Sequence, residues 1–108
     1  MKINIVTVSS GWILQKIAER IFAKLKSLCE CTLSHEPDLS ADVNFYIDVT
    51  NCYGKKTQGI DIGYFTHLDH NDPRAINPNW FSLDYIFHHG QRYYNLFKSF
   101  YPQEKMKV

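Results

Sequence analysis

The amino-acid sequence predicts one α/β domain spanning residues 1–108, an open, mostly parallel sheet of about five strands with flanking helices. Three observations carry this. A near-continuous apolar run at the N-terminus gives way to an amphipathic helix. Four further apolar runs have strand length. Polar clusters interrupt the chain where those runs end. The core is supplied by a composition that is 44% hydrophobic and 15% aromatic. A chain of this size buries roughly two-thirds of its unfolded surface.

Ile3, Ile5, Val6 and Val8 read as a first strand buried on both faces, interrupted by Ser9-Ser10-Gly11. From Trp12 the period changes. Ile13, Ile17, Ala18, Ile21, Phe22, Leu25 and Leu28 recur at three and four, an amphipathic helix with Ser9 or Ser10 as its N-cap. Cys31 to Ser34 form a short second strand, broken by Pro37 and Asp38. In the third, Val43, Phe45, Ile47 and Val49 alternate with Asn44, Tyr46 and Asp48, which leaves one face less apolar. After a polar connection from Asn51 to Gly59, Ile60 to Phe65 form the fourth strand. Asp72-Pro73 and Asn77-Pro78 punctuate a loop with room for a helical turn or two around Asn79 to Leu83. Leu83, Tyr85, Ile86 and Phe87 give a fifth strand that stops at His88-His89-Gly90. Tyr93, Tyr94, Phe97, Phe100 and Tyr101 mark a last helix ended by Pro102, and the residues up to Val108 read as a turn and the start of another strand. Parallel neighbours need a crossover of about a dozen residues. The connections after Ser34 and after Asn51 are shorter than that, so either extended segments return the chain or one strand runs antiparallel.

Several function classes are disfavoured at once. A net charge of +1 gives no field for nucleic acid or an anionic membrane. Lys16, Arg20, Lys24 and Lys26 share one helix with Glu19 and read as a solvated face. Three cysteines, Cys29, Cys31 and Cys52, with no C-x-x-C, argue against a disulfide framework and for a reducing compartment. The N-terminus lacks a signal-peptide pattern, and no apolar run has the length of a membrane span. A cytoplasmic domain is expected.

In an open α/β sheet, ligands bind outside the carboxyl ends of the strands. Three of those ends are unusual here: Ser9-Ser10-Gly11, Thr66-His67-Leu68-Asp69 and His88-His89-Gly90. The first opens a helix, whose positive end and free N–H groups suit a phosphate or carboxylate, although simple capping explains it equally. No G-x-G-x-x-G or P-loop accompanies it. Within "GYFTHLDHND", His67 and Asp69 are candidate catalytic residues, with His67 as base or hydrogen-bond donor and Asp69 orienting it or holding a hydroxyl. His67, Asp69, His70 and Asp72 also have divalent-metal ligand types, with His88 or His89 available to complete a hydrolytic site, but no metal is expected because H-x-D-H in a loop is unspecific. Ser9, Ser10, Gly11, Trp12, Thr66 and His88 are the substrate-binding candidates. Trp12 either covers a sugar ring or belongs to the core.

Taken in order, "KINIVTVSSGWILQKIAERI", "ADVNFYIDV", "IGYFTHLD" and "LDYIFHHG" resemble the N-terminal domain of GT-B fold glycosyltransferases over most of the chain. "GYFTHLD" is the most telling piece. The resemblance implies a Rossmann-like, acceptor-side domain. It would face a second domain that binds the nucleotide-sugar donor across a cleft, with no cofactor and no metal needed for the chemistry. It sets Ser9, Ser10 and Gly11 toward the donor and His67 and Asp69 toward the acceptor near the reacting centre, with His88 beside them. A small polar residue is more usual than the His88-His89 pair after the fifth strand. With the donor-binding domain absent from residues 1–108, the chain is expected to lack transferase activity alone. The partners implied are a sugar or glycan acceptor and either a separate donor-binding chain or self-association. The alternatives are a stand-alone partner-binding module, with Tyr93, Tyr94 and Tyr101 at its interface, and a small metal-dependent hydrolase built on His67, Asp69 and His88.

Overall fold

The computed structural model describes residues 1–7, 12–48, 56–65, 83–97 and 103–108. Among these, six strands form one sheet: β1 (Lys2–Val6), β2 (Glu30–Ser34), β3 (Val43–Tyr46), β4 (Ile60–Phe65), β5 (Tyr85–His88) and β6 (Met106–Lys107). Their order is β2-β1-β3-β4-β5-β6, and every neighbouring pair is parallel. Two helices accompany them, α1 (Trp12–Leu25) and α2 (Gln91–Phe97), and a 3-10 turn at Gln103–Lys105 leads into β6. The fold is the Rossmann-like α/β sheet expected from the sequence, with six strands in place of about five. The sixth is the chain start after Pro102, which pairs Met106 and Lys107 with Ile86 and Phe87.

Side chains alternate across the pleat, so each strand serves both faces. On one face Ile5, Leu33, Phe45, Ile47 and Tyr64 meet Leu14, Ile17, Ala18, Ile21 and Phe22 of α1. The apolar stripe of the helix therefore runs through Leu14 and not Ile13, which is 43% exposed. Leu28 also leaves the expected stripe. Its N–H bonds the Leu25 carbonyl in a turn beyond the last helical residue, so it faces water. Cys29 and Cys31 are free, half-buried thiols, and burial raises the Cys31 pKa, with Cys29 adding to it.

The opposite face answers the question of the short connection after β2. Asn4 and Asn44 are register partners on β1 and β3 and both are buried. Asn4 Nδ2 donates to Asn44 Oδ1 at 3.1 Å and to the Glu36 carbonyl at 3.1 Å. Its Oδ1 accepts from Thr32 and Ser34 hydroxyls at 2.8 and 3.0 Å. Asn44 in turn accepts from the Asp38 N–H at 2.8 Å and donates to the Asp38 carbonyl at 2.9 Å. The segment 35–42 is thus held flat against the sheet by side-chain amides that stand in for backbone partners. A parallel return is made without a helix.

At the amino edge, Asp61 is 2% exposed and its carboxylate accepts the Thr57 N–H and hydroxyl, each at 2.8 Å. Lys56 Nζ lies 3.3 Å from Asp61 and 2.8 Å from Asp84. Burial works against the Lys56 charge, but the two carboxylates outweigh it and raise its pKa. Beside this cluster, Gly59 passes under the 41–42 backbone. A methyl there would sit 2.6 Å from the Ala41 carbonyl oxygen and closer still to that of Asp42. Backbone carbonyls paired into the sheet do not move aside, so Gly59→Ala should destabilise the domain by about 1–3 kcal/mol. Calorimetry showing an unchanged melting temperature would refute that close approach.

Candidate site at the carboxyl edge

The strand order reverses once. From β1 the chain steps outward to β2, then returns to the other side of β1 for β3 and continues away through β4, β5 and β6. In such sheets the crevice at the reversal, outside the carboxyl ends of β1 and β3, is where ligands sit. Thr7 follows β1 and Ile47 and Asp48 follow β3, with the Ile47 N–H bonded to the Val6 carbonyl at 3.1 Å.

The helix α1 begins at this edge. Its 14 residues carry no acidic side chain in the first turn, so no carboxylate of its own neutralises the positive end. Thr7 shares the α1 side of the sheet with Ile3 and Ile5 by alternation. It is 5% exposed, and among the described residues its hydroxyl has no hydrogen-bond partner. A buried hydroxyl left unspent costs about 1–3 kcal/mol, which a ligand oxygen at this edge would offset.

Two strands further on, Tyr64 of β4 and His89 beyond β5 form a pair. Tyr64 Oη lies 2.9 Å from His89 Nδ1, with the rings 6.3 Å apart and edge-on at 71°. Tyr64 is anchored beneath α1 and against Phe45. Burial raises the Tyr64 pKa, so the phenol stays protonated and shares one hydrogen bond with His89 Nδ1. The His89 side chain is exposed, so the pair holds an imidazole ring in place at the carboxyl edge of the sheet.

His88, the neighbour, points to the other face. It is 3% exposed and lies edge-on to Tyr94 of α2 at 6.0 Å and 87°. Burial lowers its pKa to about 4. At neutral pH the ring is uncharged, and any contact it makes is that of a neutral imidazole. Of the other candidates, Trp12 opens α1, whereas Ser9, Ser10, Gly11, Thr66, His67 and Asp69 lie outside the described residues, as do His70, Asp72 and Tyr101. Against protein-family models, curated proteins and solved structures, the chain has no match. Among the described residues no group of three or more His, Cys, Asp or Glu side chains could hold a metal ion, and no helix is long and apolar enough to cross a membrane.

Sequence reasoning passed over the Tyr64–His89 pair and Thr7. Alternation in "YIFHH" held the missing signal: Ile86 and His88 fall on one face, Phe87 and His89 on the other. Thr7 carried none, being one small polar residue closing an apolar run.

Proposed function

We propose that this domain is the acceptor-side half of a glycosyltransferase-like protein, holding a sugar or glycan hydroxyl at the carboxyl edge while a second Rossmann-like unit presents the nucleotide-sugar donor. The observation that carries the reading is the strand reversal between β1 and β3 with the uncompensated start of α1 at the same edge. The resemblance of "GYFTHLD" and its neighbours gives that edge its chemistry. In this reading His67 is the base toward the acceptor hydroxyl, Asp69 orients it, and the segment from Ser9 to Trp12 faces donor phosphate. The His89 imidazole, held by Tyr64, hydrogen-bonds a ring hydroxyl of the acceptor, and Thr7 supports the same crevice. Two groups that fix and deprotonate one hydroxyl contribute by orientation, which is lost when the donor unit is not in place.

Titration of isotope-labelled protein with a panel of hexoses and disaccharides tests this by amide shifts. Shifts are expected at Thr7, Asp48, Tyr64 and His89 with millimolar saccharide, and His67→Ala should weaken binding about tenfold or more. A panel in which no saccharide moves these residues would sink the assignment. One further observation favours a partner-binding role alongside it: β4, β5 and β6 leave an apolar strip open to solvent.

A further inference from the structure

β2 is one edge of the sheet, and among the described residues nothing pairs with its outer side. The chain before and after it leads away from that side. α1 packs on one face, over β2 and β1, and segment 35–42 returns across the other face, where the Glu36 carbonyl accepts from Asn4. An open edge invites another strand, and domains ordinarily blunt theirs with short strands, lysine, proline or a bulge. β6, at the far side of the sheet, is blunted in this way: it is two residues long and carries Lys107. β2 is not. Its five residues, Glu30-Cys31-Thr32-Leu33-Ser34, pair with β1 in unbroken register and include neither lysine nor proline. The Thr32 and Ser34 hydroxyls both bond Asn4 Oδ1, at 2.8 and 3.0 Å, which ties the strand down along its length.

The direction of the main-chain groups names the occupant. Ser34 gives its carbonyl to the Thr7 N–H at 2.8 Å. Main-chain groups alternate sides along a strand, so Glu30, Thr32 and Ser34 turn theirs toward β1, while Cys31 and Leu33 turn theirs outward. The outward residues thus sit symmetrically about Thr32. A two-fold axis at Thr32 sets Cys31 opposite the partner's Leu33 and Leu33 opposite the partner's Cys31, each pair exchanging both N–H···O bonds. The side chains agree with this register. On the α1 face half-buried Cys31 meets an apolar Leu33, and on the other face Thr32 meets its own copy. Glu30, the single charge of the strand, meets Ser34. Sliding by two residues either way leaves part of β2 unpaired, and one of these slides sets Glu30 against the partner's Glu36. The helices fit as well. Ile21 and Leu25 line the side of α1 toward Val43 and Ile62, so Phe22, further round, overhangs β2. That flank holds both signs, Glu19 and Lys26, with Lys26 Nζ 5.8 Å from the Phe22 ring centre. It offers a copy of itself no like-charged stripe.

We propose that two copies of this chain join through β2, antiparallel about Thr32, so that the two sheets become one and the two α1 helices lie side by side about 10 Å apart. The seam buries Phe22, Cys31 and Leu33 on the α1 face, and Thr32 with the Glu30 and Ser34 pairs on the other. The carboxyl edge, where the saccharide reading places its ligand, stays open in both copies, and the pairing does not depend on that reading.

Sedimentation velocity between about 5 and 500 µM, with no saccharide present, should show a monomer passing into a dimer. Over the same range, amide exchange read by NMR should slow at Cys31 and Leu33, whose N–H groups point outward, and stay unchanged at Thr32, which is bonded to β1 in either state. Ser34→Glu sets a glutamate against Glu30 at both ends of the seam and should weaken the dimer about tenfold or more. Adding Glu30→Lys to that chain replaces the clash by opposite charges and should restore the dimer, which a merely structural loss at Ser34 would not allow. A chain that stays monomeric at 500 µM overturns the proposal. So does a dimer in which Cys31 and Leu33 exchange as fast as in the monomer, or one that Ser34→Glu leaves intact, since the copies would then meet elsewhere. The exchange measurement uses the unaltered protein and decides the matter even if the Ser34→Glu chain does not fold.

Discussion

An Asn44→Ala substitution is expected to lower the free energy of unfolding by about 3 kcal/mol, a large share of the 5–15 kcal/mol that holds a domain together. Asn44 is wholly buried and makes three hydrogen bonds, to Asn4 Nδ2, the Asp38 N–H and the Asp38 carbonyl. Each made bond is worth about 1 kcal/mol net, but the larger cost falls on the partners left behind without water. The Asp38 backbone groups lose the amide that pins segment 35–42 to the sheet, and the parallel return from β2 to β3 loses its fastening. Urea titration should show the lower midpoint with little change in slope. Because Asn4 and Asn44 share a bond, Asn4→Ala should cost less in an Asn44→Ala background than alone. Strictly additive costs, or a loss under about 1 kcal/mol, would mean the network is ornamental.

That network marks the limit of what could be read beforehand. The first helix and the two-sided burial of β1 were legible because their apolar residues recur at the right periods, and the split of β3 into an apolar and a polar face was legible for the same reason. Strand direction was not. It depends on Asn4, a single polar residue in an apolar run, finding Asn44 forty positions later. No local period reports that meeting. β6 was seen only as the start of something, since two paired residues are too few to show alternation.

The site was legible in outline and not in detail. Strand ends carrying polar clusters pointed to the carboxyl edge, and the strand order sets the reversal there. Which of two adjacent histidines faces water is a question of register, and register belongs to pairing: Phe65 lies opposite His88, which fixes His88 on the face away from α1. Thr7 became visible only once its surroundings were known to be buried.

The fate of His88 makes acid the most informative perturbation. Stability is expected to fall by about 2 kcal/mol between pH 6.5 and pH 4, about 10 °C in melting temperature for a domain this size. The unfolded chain takes up a proton at this residue near pH 6.5, whereas in the folded domain burial postpones it to about 4. Through that window unfolding binds a proton, so stability rises with pH; below it both states are protonated and the contribution is level. The full shift corresponds to about 3 kcal/mol at most, and about 2 kcal/mol is expected once local relaxation around the buried ring is allowed for. Other displaced groups act elsewhere. Lys2 and Ser40 hold Asp38 down to about 2, and Asp84 is lowered because Lys56 and the Asp61 N–H outweigh the effect of its burial. Their contributions are present above the ordinary carboxylate range and fade only as pH drops below it. Raised values at Lys2, Lys56, Cys31 and Tyr64 matter on the alkaline side. A His88→Gln variant, polar but unable to titrate, should therefore unfold with a flat profile from pH 6.5 to 4 while keeping the steeper fall below. Were the slope to survive that substitution, the proton would belong to another residue, and the packing of α2 on β5 through Tyr94 would have to be independent of charge.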